Sequence, residues 1–270
     1  MKKLLMSTIL LVMAVALILT GCGSSNSADQ DSWTKIEEKG EFVLGLDENF
    51  PPMGFRDENG EITGFDVDIA KEVFSRLGVD LKLQPINWDA KEQELNTGNI
   101  DAIWNGFTIT EERKKQVLFS EPYMENRQVL VVMEDSNYNT LADLAGKKLG
   151  IQAASSAADA LNSAADFKSS LGDIIEFDDN MMALMDLEKG GVDTVLMDEI
   201  VARYYIQMKD KGYRVLDEAL AGEQYGIGFR LEDKEVQQKV NETLTAMAKD
   251  GTLAEISNKW FGEDITIIAK

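Results

Sequence analysis

The chain holds 270 residues, 44% of them apolar, and its 27 basic against 48 acidic side chains give a formal net charge of −21. That composition supports a buried core rather than a disordered tail, and a polyanion of this size repels nucleic acid and anionic lipid headgroups. Histidine is absent and cysteine occurs once, which excludes His-based catalytic triads, His-ligated zinc and any intrachain disulfide, while leaving carboxylate, Lys or Tyr chemistry open.

At the N-terminus, Lys2 and Lys3 precede an uncharged apolar run over 4–19. Small residues then lead to Cys22, the layout of a cleaved export signal. The tetrad Leu19-Thr20-Gly21-Cys22 resembles a bacterial lipobox. That resemblance implies cleavage after residue 21 and a diacylglyceryl group on the Cys22 sulfur, whose two acyl chains give the stable anchoring that one chain does not. Gly, Ser, Asn and Asp dominate residues 23–32 and read as a flexible tether. The expected organisation is therefore a signal peptide over 1–21, a lipidated cysteine and linker over 22–34, and ordered sequence from 35. No second apolar run approaches the ~20 residues that span a bilayer.

Short β runs then alternate with amphipathic helices. Residues 42–46 read as a strand. Ile69, Ala70, Val73, Phe74 and Leu77 share one helical face, which Gly78 ends. A strand over 81–83, a helix over 90–95 and a strand over 100–104 follow, so the first half is β-α-β-α-β with right-handed crossovers expected. The second half restarts with an apolar run over 129–133, a strand over 149–151 and a helix over 157–165. Met181, Met182, Ala183, Leu184, Met185 and Leu187 read as an apolar helix face, its methionines packed in the core, before a strand over 192–196. Val236, Val240, Leu244 and Met247 mark a helix that Asp250-Gly251 breaks. Leu253, Ile256, Trp260 and Phe261 mark the last one. Two such βαβ sets without sequence repetition predict two α/β lobes.

Six segments in order carry a family resemblance. They are Gly64-Phe65-Asp66-Val67-Asp68-Ile69-Ala70, Gly106-Phe107-Thr108-Ile109-Thr110-Glu111-Glu112-Arg113 and Phe119-Ser120-Glu121-Pro122-Tyr123. The others are Asp193-Thr194-Val195-Leu196-Met197-Asp198, Gln224-Tyr225-Gly226-Ile227-Gly228-Phe229, and Asp250-Gly251-Thr252-Leu253 running on to Lys259-Trp260-Phe261-Gly262. From Lys35 onward the chain resembles the polar amino-acid family of ABC-transporter solute-binding proteins. The resemblance implies a periplasmic-binding-protein type II fold, each lobe a mostly parallel sheet flanked by helices. Lobe 1 would span 35–124 plus 225–270 and lobe 2 residues 125–224. A two-stranded hinge would cross near Tyr123 and Arg127 and recross near Ala221 and Tyr225.

A free amino acid presents a carboxylate and an ammonium. The carboxylate suits a bidentate guanidinium with hydroxyl or backbone donors. Arg113 sits where a strand gives way to a helix, near Thr108 and Thr110, and a helix N-terminus there would add N–H donors. The competing reading is a solvated charged face, Glu111-Glu112-Arg113-Lys114-Lys115. The ammonium suits Asp198, at the C-terminal end of a β run where open α/β sheets bind ligands; the same Asp could cap the helix starting at Glu199. From the second lobe, Gln152, Ser155 and Ser156 sit in a strand-to-helix turn, where this chain has Ala153 and Ala154 in place of the glycine usual in relatives. The resemblance places Asn105 and Gly106 among the contacts, puts the aromatic faces of Phe50 and Trp88 around the ligand, and assigns Asp47, Gln152 and Met197 to its side chain. Cation–π attraction to those rings would contribute roughly 0.5–2 kcal/mol to a cationic ligand.

These residues imply an extracytoplasmic receptor that delivers an amino acid to a membrane permease coupled to an ATPase. A neutral polar or basic side chain fits Asp47, so arginine, lysine, histidine, glutamine and cystine are the candidates. No cofactor or metal is implied, no nucleic-acid partner is expected, and a monomer held at a Gram-positive surface by the Cys22 lipid is the expected form. The alternatives are a cyclohexadienyl-dehydratase-like enzyme on the same scaffold, with Asp47 or Glu48 as general acid, or a sensory ligand-binding module.

Overall fold

A computed structural model describes residues 32–209 and 212–270; the apolar run, the lipobox and Cys22 lie outside them. Helix α1 (Trp33–Lys39) leads into β1 (Glu41–Leu46), β2 (Asn49–Phe50), β3 (Gly54–Arg56) and β4 (Ile62–Thr63). Next come α2 (Phe65–Leu77), β5 (Asp80–Pro85), a 3-10 turn (Trp88–Ala90), α3 (Lys91–Asn96), β6 (Ala102–Thr108), a 3-10 turn (Arg113–Lys115), β7 (Leu118–Phe119) and β8 (Met124–Met133). The second half holds β9 (Lys148–Gln152), α4 (Ser156–Ser163), α5 (Ala165–Ser170), β10 (Asp173–Phe177), α6 (Asn180–Glu188), β11 (Thr194–Asp198) and α7 (Glu199–Lys209). The long strand β12 (Tyr213–Phe229), α8 (Lys234–Asp250) and α9 (Thr252–Phe261) complete it.

The main sheet runs β10-β9-β11-β8-β12-β6-β1-β5, with β7 on β12, and β2, β3 and β4 form a small separate sheet. Both ends of the main sheet are parallel, β5-β1-β6 on one side and β10-β9-β11 on the other. This is the pairing expected when helical crossovers link the strands. Between them β8 and β12 pair antiparallel, from Tyr213 opposite Met133 to Tyr225 opposite Met124, with register shifts around Ala219. The fold is thus two-lobed, with two adjacent strands crossing from one lobe to the other.

The core follows from the strand and helix patterns. Phe42, Leu44 and Leu46 of β1 are buried, each worth roughly 1.5–3 kcal/mol. Phe42 stacks on Phe74 of α2 at 4.0 Å between ring centroids. The face of α2 is buried at Val67, Ile69, Ala70, Val73 and Phe74, and Gly78 ends it at φ 71°.

Several expectations shift. Trp33, placed in the linker, is buried and opens α1, whose side chain at Lys39 pairs with Glu41. The third strand spans Ala102–Thr108 rather than 100–104, because Phe107 and Thr108 pair with Gly226 and Tyr225 of β12, a partner over 110 residues away that local pattern does not show. Likewise β11 runs to Asp198, extended by pairing with Gln128 of β8. The α-helix expected at Arg113 is a three-residue 3-10 turn, so it offers no α-helical N-terminus. The methionines of α6 are not core: Met181, Met182 and Met185 are 39%, 48% and 47% exposed. The buried stripe of α6 is Asn180, Ala183, Leu184 and Leu187, one face at i, i+3, i+4, i+7, and the methionines fall outside it.

Candidate functional site

The C-terminal edge of β1 leads directly to Asp47. Its carboxylate accepts from the Asn49 backbone N–H (2.9 Å) and from Gln152 Nε2 of the other lobe (2.9 Å). Its own N–H donates to Asn105 Oδ1 (3.2 Å), so Asn105, on β6, supports Asp47 from beneath. Burial raises the Asp47 carboxyl above the usual carboxylate range, opposed by the Asn49 and Gln152 donors and reinforced by Asp179 and Glu48. Gln152 is itself fixed, donating to the Asp178 carbonyl (3.1 Å) and accepting from Asn180 Nδ2 (3.1 Å).

Gly106 takes φ +57°, and a Cβ there would lie 2.8 Å from Phe50 Cε1 and 3.2 Å from the Tyr225 ring. Only glycine lets Phe50 close over the strand at this point. The Gly106 N–H donates to Asp66 Oδ2 (2.7 Å), which also accepts from the Tyr123 hydroxyl (2.9 Å). Burial pushes the Asp66 carboxyl up to about 7, opposed by the donors from Gly106, Tyr123 and Trp104. Trp88 stands edge-on to Phe107, with ring centroids 5.8 Å apart.

Arg113 is 7% exposed although four charged residues surround it in sequence. Its guanidinium lies over the Phe107 ring at 4.7 Å, Nη1 donates to the Thr108 carbonyl (2.9 Å), and Nη2 stands 3.9 Å from Asp159 of the other lobe. Thr110 receives the Arg113 N–H on its hydroxyl (3.1 Å), which ties the turn. Thr108 Oγ1 donates to Ser156 Oγ across the cleft (3.0 Å). Ser155 caps α4, accepting from the Ala158 N–H and donating to the Gln152 carbonyl (2.8 Å). Asp198 ends β11; its Oδ1 accepts from the Tyr225 hydroxyl (2.7 Å), Asn126 Nδ2 (2.8 Å) and Gln128 Nε2 (2.9 Å). Met197, one residue earlier, is fully buried in the main apolar cluster.

Asp47, Gln152, Thr108, Ser156, Arg113 and Asp198 thus meet between the lobes. Phe50 lies against Gly106 and Trp88 against Phe107, while Asn105 and Met197 are buried. Pattern reading passed over Lys91, whose buried Nζ donates to the Trp88 carbonyl (3.1 Å) and, across the cleft, to the Ala154 carbonyl (3.0 Å). Burial pulls its pKa below the usual lysine value, against Glu92 3.4 Å away. The only cue in sequence is its position three residues after Trp88. Ala154 itself has φ +52°, a left-handed conformation in the turn that leads into α4.

Beside Asp47 and Trp88 opens a cavity of about 580 Å³. Asp47, Glu48, Asp89, Glu94, Asp178 and Asp179 line it, with no Lys or Arg among its lining residues. Low-dielectric walls lined by one sign of charge focus the field and favour a cationic group. Among the described residues no His, Cys, Asp and Glu cluster is arranged to hold a metal, and no helix is long and apolar enough to cross a membrane.

The family profile for bacterial extracellular solute-binding proteins, family 3, matches residues 42–263. The chain is 33% identical over 257 residues to the L-cystine-binding protein TcyJ of Escherichia coli (strain K12), covering 94% of this chain and 95% of that one. Among solved structures it resembles an ABC uptake transporter substrate-binding protein from Streptococcus pneumoniae with bound histidine. The TM-score is 0.85 at 38% identity, over 87% of this chain and 98% of that one. It also resembles Tv2483 bound to L-arginine, with a TM-score of 0.84 at 31% identity, over 90% of this chain and 99% of that one. With the two-lobed fold and the cleft between its lobes, these matches establish that the chain belongs to the bacterial extracellular solute-binding proteins of family 3.

Proposed function

We propose that the protein is the receptor of an amino-acid ABC importer and binds a free L-amino acid with a cationic side chain. Arg113 takes the α-carboxylate with help from the Thr108 and Ser156 hydroxyls, and Asp198 takes the α-ammonium. Phe50 and Trp88 flank the side chain, whose charge reaches Asp47. The observation that carries the ligand class is the cavity beside Asp47, lined by six carboxylates and no basic residue. An aspartate or glutamate side chain would enter that field against repulsion.

Lobes over 35–124 plus 225–270 and over 125–224 would close on the ligand, whose contacts to both favour the closed form. A permease and its ATPase subunit would then read that form, so the chain acts by binding and release, as a monomer, rather than by turnover. The diacylglyceryl group on Cys22 would hold the receptor at the membrane, in a Gram-positive cell at the outer surface. Cystine is the second reading. The similarity to an L-cystine-binding protein favours it, and its distal ammonium would meet the same carboxylates.

A thermal-shift screen tests the reading. A ligand at 100 times its Kd adds about 2.7 kcal/mol, or roughly 5–10 °C in Tm at this size. Arginine, lysine or histidine should give that shift and glutamate none. A shift with cystine alone selects the second reading, and a shift with glutamate or aspartate contradicts both.

A further inference from the structure

Glu223, on the crossing strand β12, reaches the same two side-chain amides as Asp198. Asn126 Nδ2 donates to Glu223 Oε1 at 2.6 Å and to Asp198 Oδ1 at 2.8 Å. Gln128 Nε2 lies 2.9 Å from Glu223 Oε1, 2.9 Å from Asp198 Oδ1 and 3.2 Å from Ser156 Oγ. Two carboxylate oxygens bridged by the same two nitrogens are near neighbours, and Glu223 acts directly on the Asp198 carboxyl. One donor is also oversubscribed: an amide nitrogen carries two hydrogens, and Gln128 Nε2 faces three acceptors. Two ionised carboxylates in this geometry repel, and one added proton both supplies the missing hydrogen and removes a charge.

The charged neighbours do not neutralise the pair. Arg127 of β8 makes a bidentate pair with Glu199 of α7 (2.6 and 2.7 Å), and Arg203 of α7 binds the same carboxylate. Lys114 pairs with Glu111. Glu125 of β8 adds negative charge along the same groove. Arg113 feels both Asp198 and Glu223 at longer range, from the carboxylate end of the proposed ligand. The Tyr225 hydroxyl donates to Asp198 and, being buried, stays protonated. Burial holds the Asp198 carboxyl well above the usual carboxylate range, Glu223 adds to that, and Tyr225 and Gln128 oppose it. Glu223 also lines a groove of about 870 Å³ behind the crossing strands, which gives a proton a path to solvent.

We propose that Asp198 and Glu223 act as one carboxylate pair holding a single proton, and that an arriving α-ammonium displaces this proton into the groove behind the hinge. Glu223 is a positioning residue that acts through Asp198. The balance is simple: the protonated pair and the ligand ammonium give the ion-paired complex plus one proton in solvent. Affinity therefore rises with pH while the free pair is protonated and levels once it is ionised.

The proposal rests on the amino-acid reading above, and calorimetry separates the two. Arginine is titrated into the protein at about pH 6 in two buffers of different ionisation enthalpy, which should show about one proton released per ligand. Glu223→Gln should release clearly less than the unaltered protein, bind about tenfold more weakly at pH 8, and show a shallower rise in affinity with pH. Binding without proton release in the unaltered protein overturns this proposal and leaves the receptor reading intact. Absence of binding by arginine, lysine, histidine and cystine overturns both. Should Glu223→Gln fail to fold, carbon-13 NMR of the side-chain carboxyls decides on the unaltered chain. Asp198 should titrate above the usual carboxylate range in the free protein and move down on saturation with arginine. Asp198 titrating in the usual range would overturn the proposal.

Discussion

In the proposed function Arg113 takes the carboxylate of a free amino acid and Asp198 its ammonium, and both side chains are buried. A charge-assisted hydrogen bond contributes about 1.5–3 kcal/mol, and stranding the buried partner charge adds to the loss. Arg113→Ala or Asp198→Ala should therefore weaken amino-acid binding at least ~100-fold by isothermal titration, and near-native affinity in either variant would refute those roles. Arg113→Lys keeps the charge but not the fork, so it should rescue only part of the loss. Ala154 offers a separate test. Its φ of +52° costs an L-residue about 1 kcal/mol relative to glycine. Ala154→Gly should raise urea-unfolding stability by about that amount, and a destabilised variant would contradict the backbone assignment. The chemistry a free amino acid needs pointed to Arg113 and Asp198, and the family resemblance added Asp47 and Gln152. Lys91 and Glu223 carried no such signal, because each acquires its neighbours from an element distant in the chain: Lys91 from the Ala154 turn, Glu223 from β8 and β11.

At the scale of elements, Asp66 links the first turn of α2 to the middle of β6 through the Gly106 N–H. Its carboxyl titrates near 7 when folded and near its ordinary 3.8 in the unfolded chain. Between those values the folded protein keeps a proton that the unfolded chain has lost. This group's contribution is therefore present at low pH and declines as pH rises from about 4 to about 7, by up to about 1.4 kcal/mol per unit. Asp66→Asn can still accept from Gly106 and should remove that slope. Urea titrations of both proteins at pH 5 and pH 7 measure it, and parallel pH dependences would contradict the linkage. Element type was readable wherever periodicity was strong, as on α2, α8 and α9. It failed where pairing decides: the strand read over 100–104 runs on to Thr108, where Phe107 and Thr108 pair with β12. On α6 a nearly continuous apolar run hid which face was buried.

Over the whole molecule, closure joins elements that no local pattern connects. Gln152 reaches Asp47, Ser156 receives Thr108, and Lys91 reaches the Ala154 carbonyl, all across the cleft. The two-lobed class was legible because the alternation of strands and helices restarts midway; the antiparallel crossing of β8 and β12 is a tertiary outcome. A ligand contacting both walls would tie the lobes more firmly than these few bonds do. The most direct test is a crystal structure with L-arginine. The α-carboxylate should lie on Arg113, the α-ammonium on Asp198, and the guanidinium should run between Phe50 and Trp88 to Asp47. Arginine bound outside the cleft, or with its α-carboxylate away from Arg113, would contradict the account.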